Sequence, residues 1–395
     1  MEANCALLWR FGTCRKGLNY FKVDLNKQEK EKEKYGRLGN TGGGGIVHPI
    51  FNKTMSELLN SLLHQNDTNH ATTTTITTSK DDEQAVRVLP LPRNRMLTFN
   101  RTLIMGILNV TPDSFSDGGS AYSNSSELAA LHALQLVRDG ADIIDVGGES
   151  TRPGANEMDV QIEMDRVIPV IKRIRQICPD VPISIDTRHS TVAKAAIMAG
   201  ADIVNDVSGG THDGEMLSCV ASLGVPMIIM HMRGNPRTMQ SLTNYSSSSS
   251  SDNNGRDDDD DDGVVSGVAR ELMQRSTAAE LAGIPRWLQV VDPGIGFAKD
   301  MNGNLSLLRS VDALRQSCDN LPLLFGPSRK GFIGNITGET NPKERDYGTI
   351  AACLASIQRS KNDCGGNTCN VLRVHNVKAV KQAVLVYEAI QNTNR

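Results

Sequence analysis

In the segment NVLRVHNV, Arg373 and His375 stand two positions apart, so an extended strand would aim both at the same side. A guanidinium and an imidazole placed that way suit an oxyanion such as a phosphate or pyrophosphate. Arg152 and Thr151 in GESTRPGA and Asn109 in MGILNV suit the same chemistry. Asn109 is also a reasonable oxygen ligand for Mg2+, an ion that takes few protein ligands and keeps phosphate oxygens. A second group contains Asp186 in SIDT, Asn205 in NDVSGG and Asp292 in DPGIGF, each at the end of an apolar run. Carboxylates and amides so placed suit a flat heterocycle offering several N–H donors, because a ligand without them leaves buried acceptors unsatisfied. Glu149, Asp206, His231 and the triplet Ser328–Arg329–Lys330 end further apolar runs. No His/Cys set for a transition metal and no Ser-His-Asp arrangement is visible in the spacing.

The elements that must position these groups are regular. Eight apolar, β-rich runs cover 102–110, 141–148, 182–187, 202–209, 226–232, 288–296, 321–328 and 370–377. Helix-sized segments separate them. Val160, Met164, Val167, Ile171 and Ile174 fall on one helical face, with Pro169 expected to kink or locally unbond that helix. Asn376 is placed to cap a last helix that turns Val380, Val384 and Tyr387 inward. Strands apolar enough to be buried on both faces, each followed by a helix, predict a (β/α)8 TIM barrel of about 290 residues. A doubly wound open sheet is the alternative, but no GxGxxG follows the first strand. Any one polar strand end could merely cap the next helix. Eight at the same end of one barrel are hard to assign to capping alone, and that end is where such barrels do chemistry.

The remaining chain is polar. Residues 1–95, with KQEKEKEK and TGGGG, are expected to be a mostly disordered extension or linker ahead of a barrel spanning 96–395. The stretch from about 245 to 263, six serines and then six aspartates, predicts a solvated low-complexity insertion after the fifth strand. Removing Asp257–Asp262 would turn the net charge from −3 to +3, so bulk charge indicates neither nucleic acid nor an anionic membrane as partner. No apolar stretch approaches the roughly 20 residues that span a bilayer. The eight cysteines include no CxxC pair, which favours reduced thiols over a disulfide or zinc framework.

Taken in order, MGILNVTPDSFSDGG (105–119), DIIDVGGESTRPGA (142–155), SIDT (184–187), NDVSGG (205–210), MHMRGNPRTMQ (230–240), DPGIGF (292–297), GPSRKGFIG (326–334) and RVHNV (373–377) closely resemble dihydropteroate synthase. The resemblance covers about 102–392. It implies a (β/α)8 barrel, usually a homodimer, that condenses 6-hydroxymethyl-7,8-dihydropterin diphosphate with 4-aminobenzoate to give 7,8-dihydropteroate and pyrophosphate for folate biosynthesis. By the same resemblance, Asp186, Asn205, Asp292 and Lys330 would hold the pterin, with Arg373 against it. Arg152, Arg373 and His375 would hold the diphosphate, Asn109 would meet Mg2+, and aminobenzoate would lie near Thr151, Pro153, Phe297 and Lys330 beneath the loop carrying Phe115. Lys330, Arg373, His375, Arg152 and Asp186 are the expected catalytic set, and loops 111–119 and 149–155 are expected to close over it.

The sequence departs from the family pattern at Ala298, where glycine is frequent, and at Asn376, where an acidic residue is frequent. VRVLPLPRNRMLTFN (86–100) resembles the joint that follows a pyrophosphokinase in eukaryotic fusions, although about 95 polar residues cannot hold such a kinase. The alternative is a pterin-binding methyltransferase module, which would be expected to lack SFSDGG and the SRK triplet. The expected compartment is the cytoplasm or the mitochondrion. Deleting 246–262 should leave steady-state activity within about tenfold of wild type, as expected for a solvated surface insertion. A larger loss would refute that assignment.

Overall fold

The aliphatic runs become parallel strands. The structure, a computed structural model, describes residues 11–13, 19–21, 87–110, 125–149, 158–245, 262–358 and 369–392. It divides into two units, Met1–Ala85 and Val86–Arg395. In the first, β1 (Phe11–Thr13) and β2 (Asn19–Phe21) pair antiparallel, so the extension read as mostly disordered contains this one short hairpin among its described residues.

In the second unit, β5 (Leu103–Asn109), β6 (Ile143–Gly147), β7 (Ile183–Asp186), β8 (Ile203–Asp206), β9 (Met227–Met230), β10 (Gln289–Asp292), β11 (Leu324–Phe325) and β12 (Val371–Val374) form one parallel sheet. Its order is β10-β9-β8-β7-β6-β5-β12-β11. A parallel bridge from Val291 to Leu323 joins the two outer members, which closes the ring into the predicted barrel. Outward side chains such as Ile104, Ile144, Ile185, Val204 and Ile229 pack against the surrounding helices in one large apolar cluster. This explains why the strands read as continuous apolar runs rather than as alternating ones.

Two helices bear on the sequence reading. One runs unbroken from Val160 to Ile177, straight through Pro169. The expected kink does not divide it, because Pro169 lies on the exposed face, where water can satisfy the carbonyl that the proline leaves unbonded. Its inward face is Glu163, Val167, Val170, Ile171 and Ile174, while Val160 and Met164 are only half-buried. The last helix, Val377–Asn392, is capped as expected, with Asn376 Oδ1 accepting from the Ala379 N–H at 3.2 Å.

Residues 87–95, assigned with the extension, instead pack with the barrel. β3 (Val88–Leu91) and β4 (Arg95–Thr98) form an antiparallel hairpin turning at Arg93 and Asn94, both with positive φ. Its Leu89, Leu91 and Leu97 pack against Leu103, Met105, Ile143, Ile203, Leu324 and Val371, residues at the starts of the barrel strands. The hairpin therefore plugs the floor of the barrel. Its anchor is Asp202, fully buried just before β8, which pairs with Arg93, Arg95 and Arg175. That carboxylate also accepts the Ile183 N–H at 2.9 Å, which ties the hairpin to the sheet.

Removing one partner from a buried ion network leaves the others uncompensated. Asp202→Ala should cost on the order of 3 kcal/mol of unfolding free energy. Urea denaturation followed by circular dichroism reads this out, and a loss below about 1 kcal/mol would show that the arginines are satisfied by water instead.

Candidate active site

The strand register sets the site. Asn109, Gly147, Asp186 and Asn205 are direct partners across β5, β6, β7 and β8, so they form one row at the C-terminal mouth of the barrel. Register partners on neighbouring strands face the same side. Arg373 reaches this row from β12: its Nε donates to Asp145 Oδ2 and its Nη2 to Asp186 Oδ2, both at 2.6 Å. Asp145 is fully buried and also accepts from Asn205 Nδ2 at 3.3 Å. With its NH2 group turned toward Asp145, Asn205 is left with its carbonyl oxygen as the free hydrogen-bonding end.

Asn205, Met230, Asp292, Phe297, Lys330 and Arg373 line a cavity at this mouth. The Lys330 ammonium lies 4.0 Å from the centroid of the Phe297 ring, a cation–π contact. A Cβ on Gly296, which has φ +82°, would come within 2.9 Å of Lys330 Cδ, so this glycine is what lets the lysine side chain pass. Gly294 is required more strictly, since a Cβ there would collide with the His231 carbonyl oxygen. His375 stands beside the cavity, its Nδ1 2.9 Å from Ser328 Oγ, which in turn accepts the His375 N–H at 3.2 Å.

Burial sets the electrostatics. It raises Asp292 to about 6, against the opposing Gly294 N–H and the Arg373, Lys330 and Lys299 cations. It raises Asp186 to about 7, with Arg373 opposing and the neighbouring Asp145 adding to the rise. Burial would pull Arg373 down, but Asp145 and Asp186 more than offset it, and the guanidinium is held above its ordinary value. Burial thus holds Asp186 and Asp292 above the ordinary carboxylate range, as acceptors that N–H donors of a ligand would suit.

The structure therefore brings together Asp186, Asn205, Asp292, Phe297, Lys330 and Arg373, and holds His375, two residues beyond Arg373, against Ser328. Phe115, Thr151, Arg152 and Pro153 lie outside the described residues. Other polar strand ends serve the scaffold. Arg329 turns away to Asp346, at 2.8 Å, and Asp206 accepts from the Ser208 and Gly210 N–H groups to shape the following turn. Glu149 pairs with Arg188 at 2.7 Å and accepts the Met158 N–H, and Glu163 bonds His189 Nδ1 at 2.8 Å. Glu149, Glu163 and His189 gather three potential metal-ligand atoms within 4.8 Å, but Arg188 takes both oxygens of Glu149. Asn109, read from the sequence as the Mg2+ contact, is half-buried at the rim and offers a neutral oxygen, and its neighbour in the row is Gly147, so β6 puts no side chain between Asn109 and Asp186.

Strand ends alone could not reveal Asp145, which sits two residues before the end of β6. The signal was a carboxylate inside an otherwise aliphatic run, IIDVG. Such a group must be paired if it is buried.

Residues 105–375 match the family described as "Pterin binding enzyme". A dihydropteroate synthase from Synechocystis is 43% identical over 76% of this chain and 95% of its own length. The folic acid synthesis protein fol1 of Pneumocystis carinii is 38% identical over 88% of this chain, which spans only 42% of that longer protein. The chain likewise spans 53% of a mitochondrial folate synthesis bifunctional protein from Arabidopsis thaliana, at 41% identity. Among solved structures, Xanthomonas albilineans dihydropteroate synthase with 4-aminobenzoic acid superposes with a TM-score of 0.66 at 40% identity, covering 78% of this chain and 99% of that one.

The raised Asp292 has a consequence for stability. Between about pH 4, where an unfolded aspartate titrates, and about 6, the folded protein keeps a proton that the unfolded chain has lost. The contribution of this group to stability therefore falls as pH rises through that window. Asp292→Asn should flatten the pH dependence of the urea midpoint between roughly pH 4 and 6 relative to wild type; parallel curves would rule out the shift.

Proposed function

The chain belongs to the pterin-binding enzyme family, and on that premise we propose that it is a dihydropteroate synthase. It joins 6-hydroxymethyl-7,8-dihydropterin diphosphate to 4-aminobenzoate, releasing pyrophosphate, in folate biosynthesis. The observation that carries the reading is the juxtaposition, in one barrel mouth, of the acceptors Asp186, Asn205 and Asp292 with the cations Lys330 and Arg373.

The pterin ring presents its N–H edge to the two carboxylates and the Asn205 carbonyl oxygen, whose orientation Asp145 sets. A competitor without those donors would leave buried acceptors unpaired, and this supplies specificity. Arg373 lies against the ring, while Arg373, His375 and Arg152 hold the diphosphate and stabilise the charge that grows on it as the C–O bond breaks. Mg2+ held by Asn109 would supply further neutralisation of that charge. The carboxylates around the pterin favour the positive charge developing on the ring side of the same bond. Phe297 and Lys330 form the wall against which the aromatic amine lies, with Thr151, Pro153 and Phe115 as further contacts. The amine is neutral near pH 7 and attacks with little general-base help. Closure of loops 111–119 and 149–155 excludes water, the competing nucleophile.

The same reading extends to a homodimer as the working unit. No helix among the described residues is long and apolar enough to cross a membrane. The Arabidopsis relative is mitochondrial by name, and this chain is assigned to the mitochondrion or the cytoplasm.

Purified protein with Mg2+ should release pyrophosphate only when both the pterin diphosphate and 4-aminobenzoate are present, and dihydropteroate should appear in equal amount. Lys330→Ala and Arg373→Ala should each lower kcat/KM at least about 100-fold, the typical loss of one strong charge-stabilising group. A folded protein that forms no dihydropteroate would sink the assignment.

A further inference from the structure

Behind the cavity wall lies a polar chain that the reaction as described does not use. Lys299 is 3% exposed and follows the strap that carries Asp292 and Phe297. Its Nζ donates to the Phe297 carbonyl oxygen at 2.8 Å and to His231 Nδ1 at 2.9 Å. His231, fully buried, then has Nε2–H left to donate to Glu271 Oε2 at 2.9 Å, on the helix Asp262–Leu281. Burial, with the Lys299 cation beside it, pulls the imidazole down to about 3, so the ring is neutral with one acceptor and one donor nitrogen, as the chain requires.

The next carbonyl of the strap is held as well. Tyr245 Oη donates to Ala298 O at 2.9 Å, and the Arg233 guanidinium lies 3.8 Å from the centroid of the Tyr245 ring. Ala298 has φ +51°, a left-handed conformation that is unfavourable for a non-glycine residue. Two consecutive carbonyls are thus gripped from outside while the Phe297 ring faces the cavity on the inside.

A buried lysine is expensive and serves stability less well than an aliphatic side chain of its size. One of its two bonds here ends on the backbone of a ligand-facing residue, and the other on the His231 ring, which Glu271 holds in turn. The ammonium and the neutral amine both own enough protons to make both bonds, so the grip is independent of the charge on Lys299.

We propose that Lys299 is a positioning residue for the condensation: through the Phe297 carbonyl and His231, with Glu271 as outer anchor, it fixes the Phe297 ring as the wall against which 4-aminobenzoate lies. This rests on the dihydropteroate synthase reading above and adds to it a residue that touches neither substrate.

The test is steady-state kinetics of the full chain with each substrate varied in turn. Lys299→Met should raise the KM for 4-aminobenzoate at least about tenfold, since small misplacements of a positioning group are costly. The KM for the pterin diphosphate and kcat should stay within about threefold of wild type. His231→Gln keeps one acceptor and one donor and should stay within about threefold on both KM values, whereas His231→Leu should reproduce Lys299→Met. An unchanged aminobenzoate KM, or an equal rise in both KM values, overturns the proposal. Should Lys299→Met fail to fold, His231→Leu, which breaks the chain one residue further out, should alone raise the aminobenzoate KM at least about tenfold, and no rise would be equally fatal. A wild-type chain that forms no dihydropteroate overturns the reaction itself; an active wild type indifferent to Lys299→Met overturns only the positioning role.

Discussion

The barrel mouth depends on one cation reaching across it. Arg373 stands on β12, yet its hydrogen bonds end on β6 and β7, at Asp145 and Asp186. Without it, Asp145, Asp186 and Asp292 would converge as buried carboxylates with little to offset their repulsion. With it, Asp145 stays buried at no exposure and can orient Asn205, and Asp186 becomes an acceptor of adjustable charge. The binding site is in this sense an electrostatic compromise. Burial raises Asp186 and Asp292 against the pull of the nearby cations, and a donor-rich ligand suits both.

The barrel supports this arrangement by separating its two ends chemically. The floor is sealed by leucines of the β3–β4 hairpin, and the buried carboxylate that anchors it, Asp202, has three arginines. The mouth is polar and incompletely paired. Because strands are rigid and their register is fixed along their length by apolar packing, polar groups at the mouth can be held in unfavourable proximity without the sheet yielding.

Much of this was legible in the sequence, for a physical reason. Strands buried on both faces advertise themselves as aliphatic runs, so a polar residue where such a run stops stands out; Asp186, Asn205, Asp292, Lys330 and Arg373 were visible in that way and share the cavity region. The same rule could not separate residues that face the cavity from residues that turn behind it. Arg329 and His231 end apolar runs equally well, but one bonds Asp346 and the other Lys299. Direction at a strand end is decided by the loop that follows, and that geometry has no short-range pattern. Asp145 was hidden by lying inside a run, and the hairpin at 88–98 by its prolines and arginines, which resemble a linker until Asp202 supplies their partner. Pro169 leaves a carbonyl unbonded, as expected, yet the helix runs on, because that face meets water.

Ring closure also orders events in time. β5 lies between β6, its near neighbour in sequence, and β12, more than 260 residues downstream, where Met105 pairs with Arg373. Contacts of that separation carry the largest loop-closure entropy and form late. As the chain is synthesised, Asp145, Asp186 and Asp292 all emerge before the strand that carries their cation. The nascent barrel therefore has an open seam between β5 and β11 and, at its mouth, carboxylates without their cation, whose hydration opposes premature collapse there. Arrival of β12 closes the seam and supplies the missing charge in one step, so the site is assembled by the same event that completes the fold.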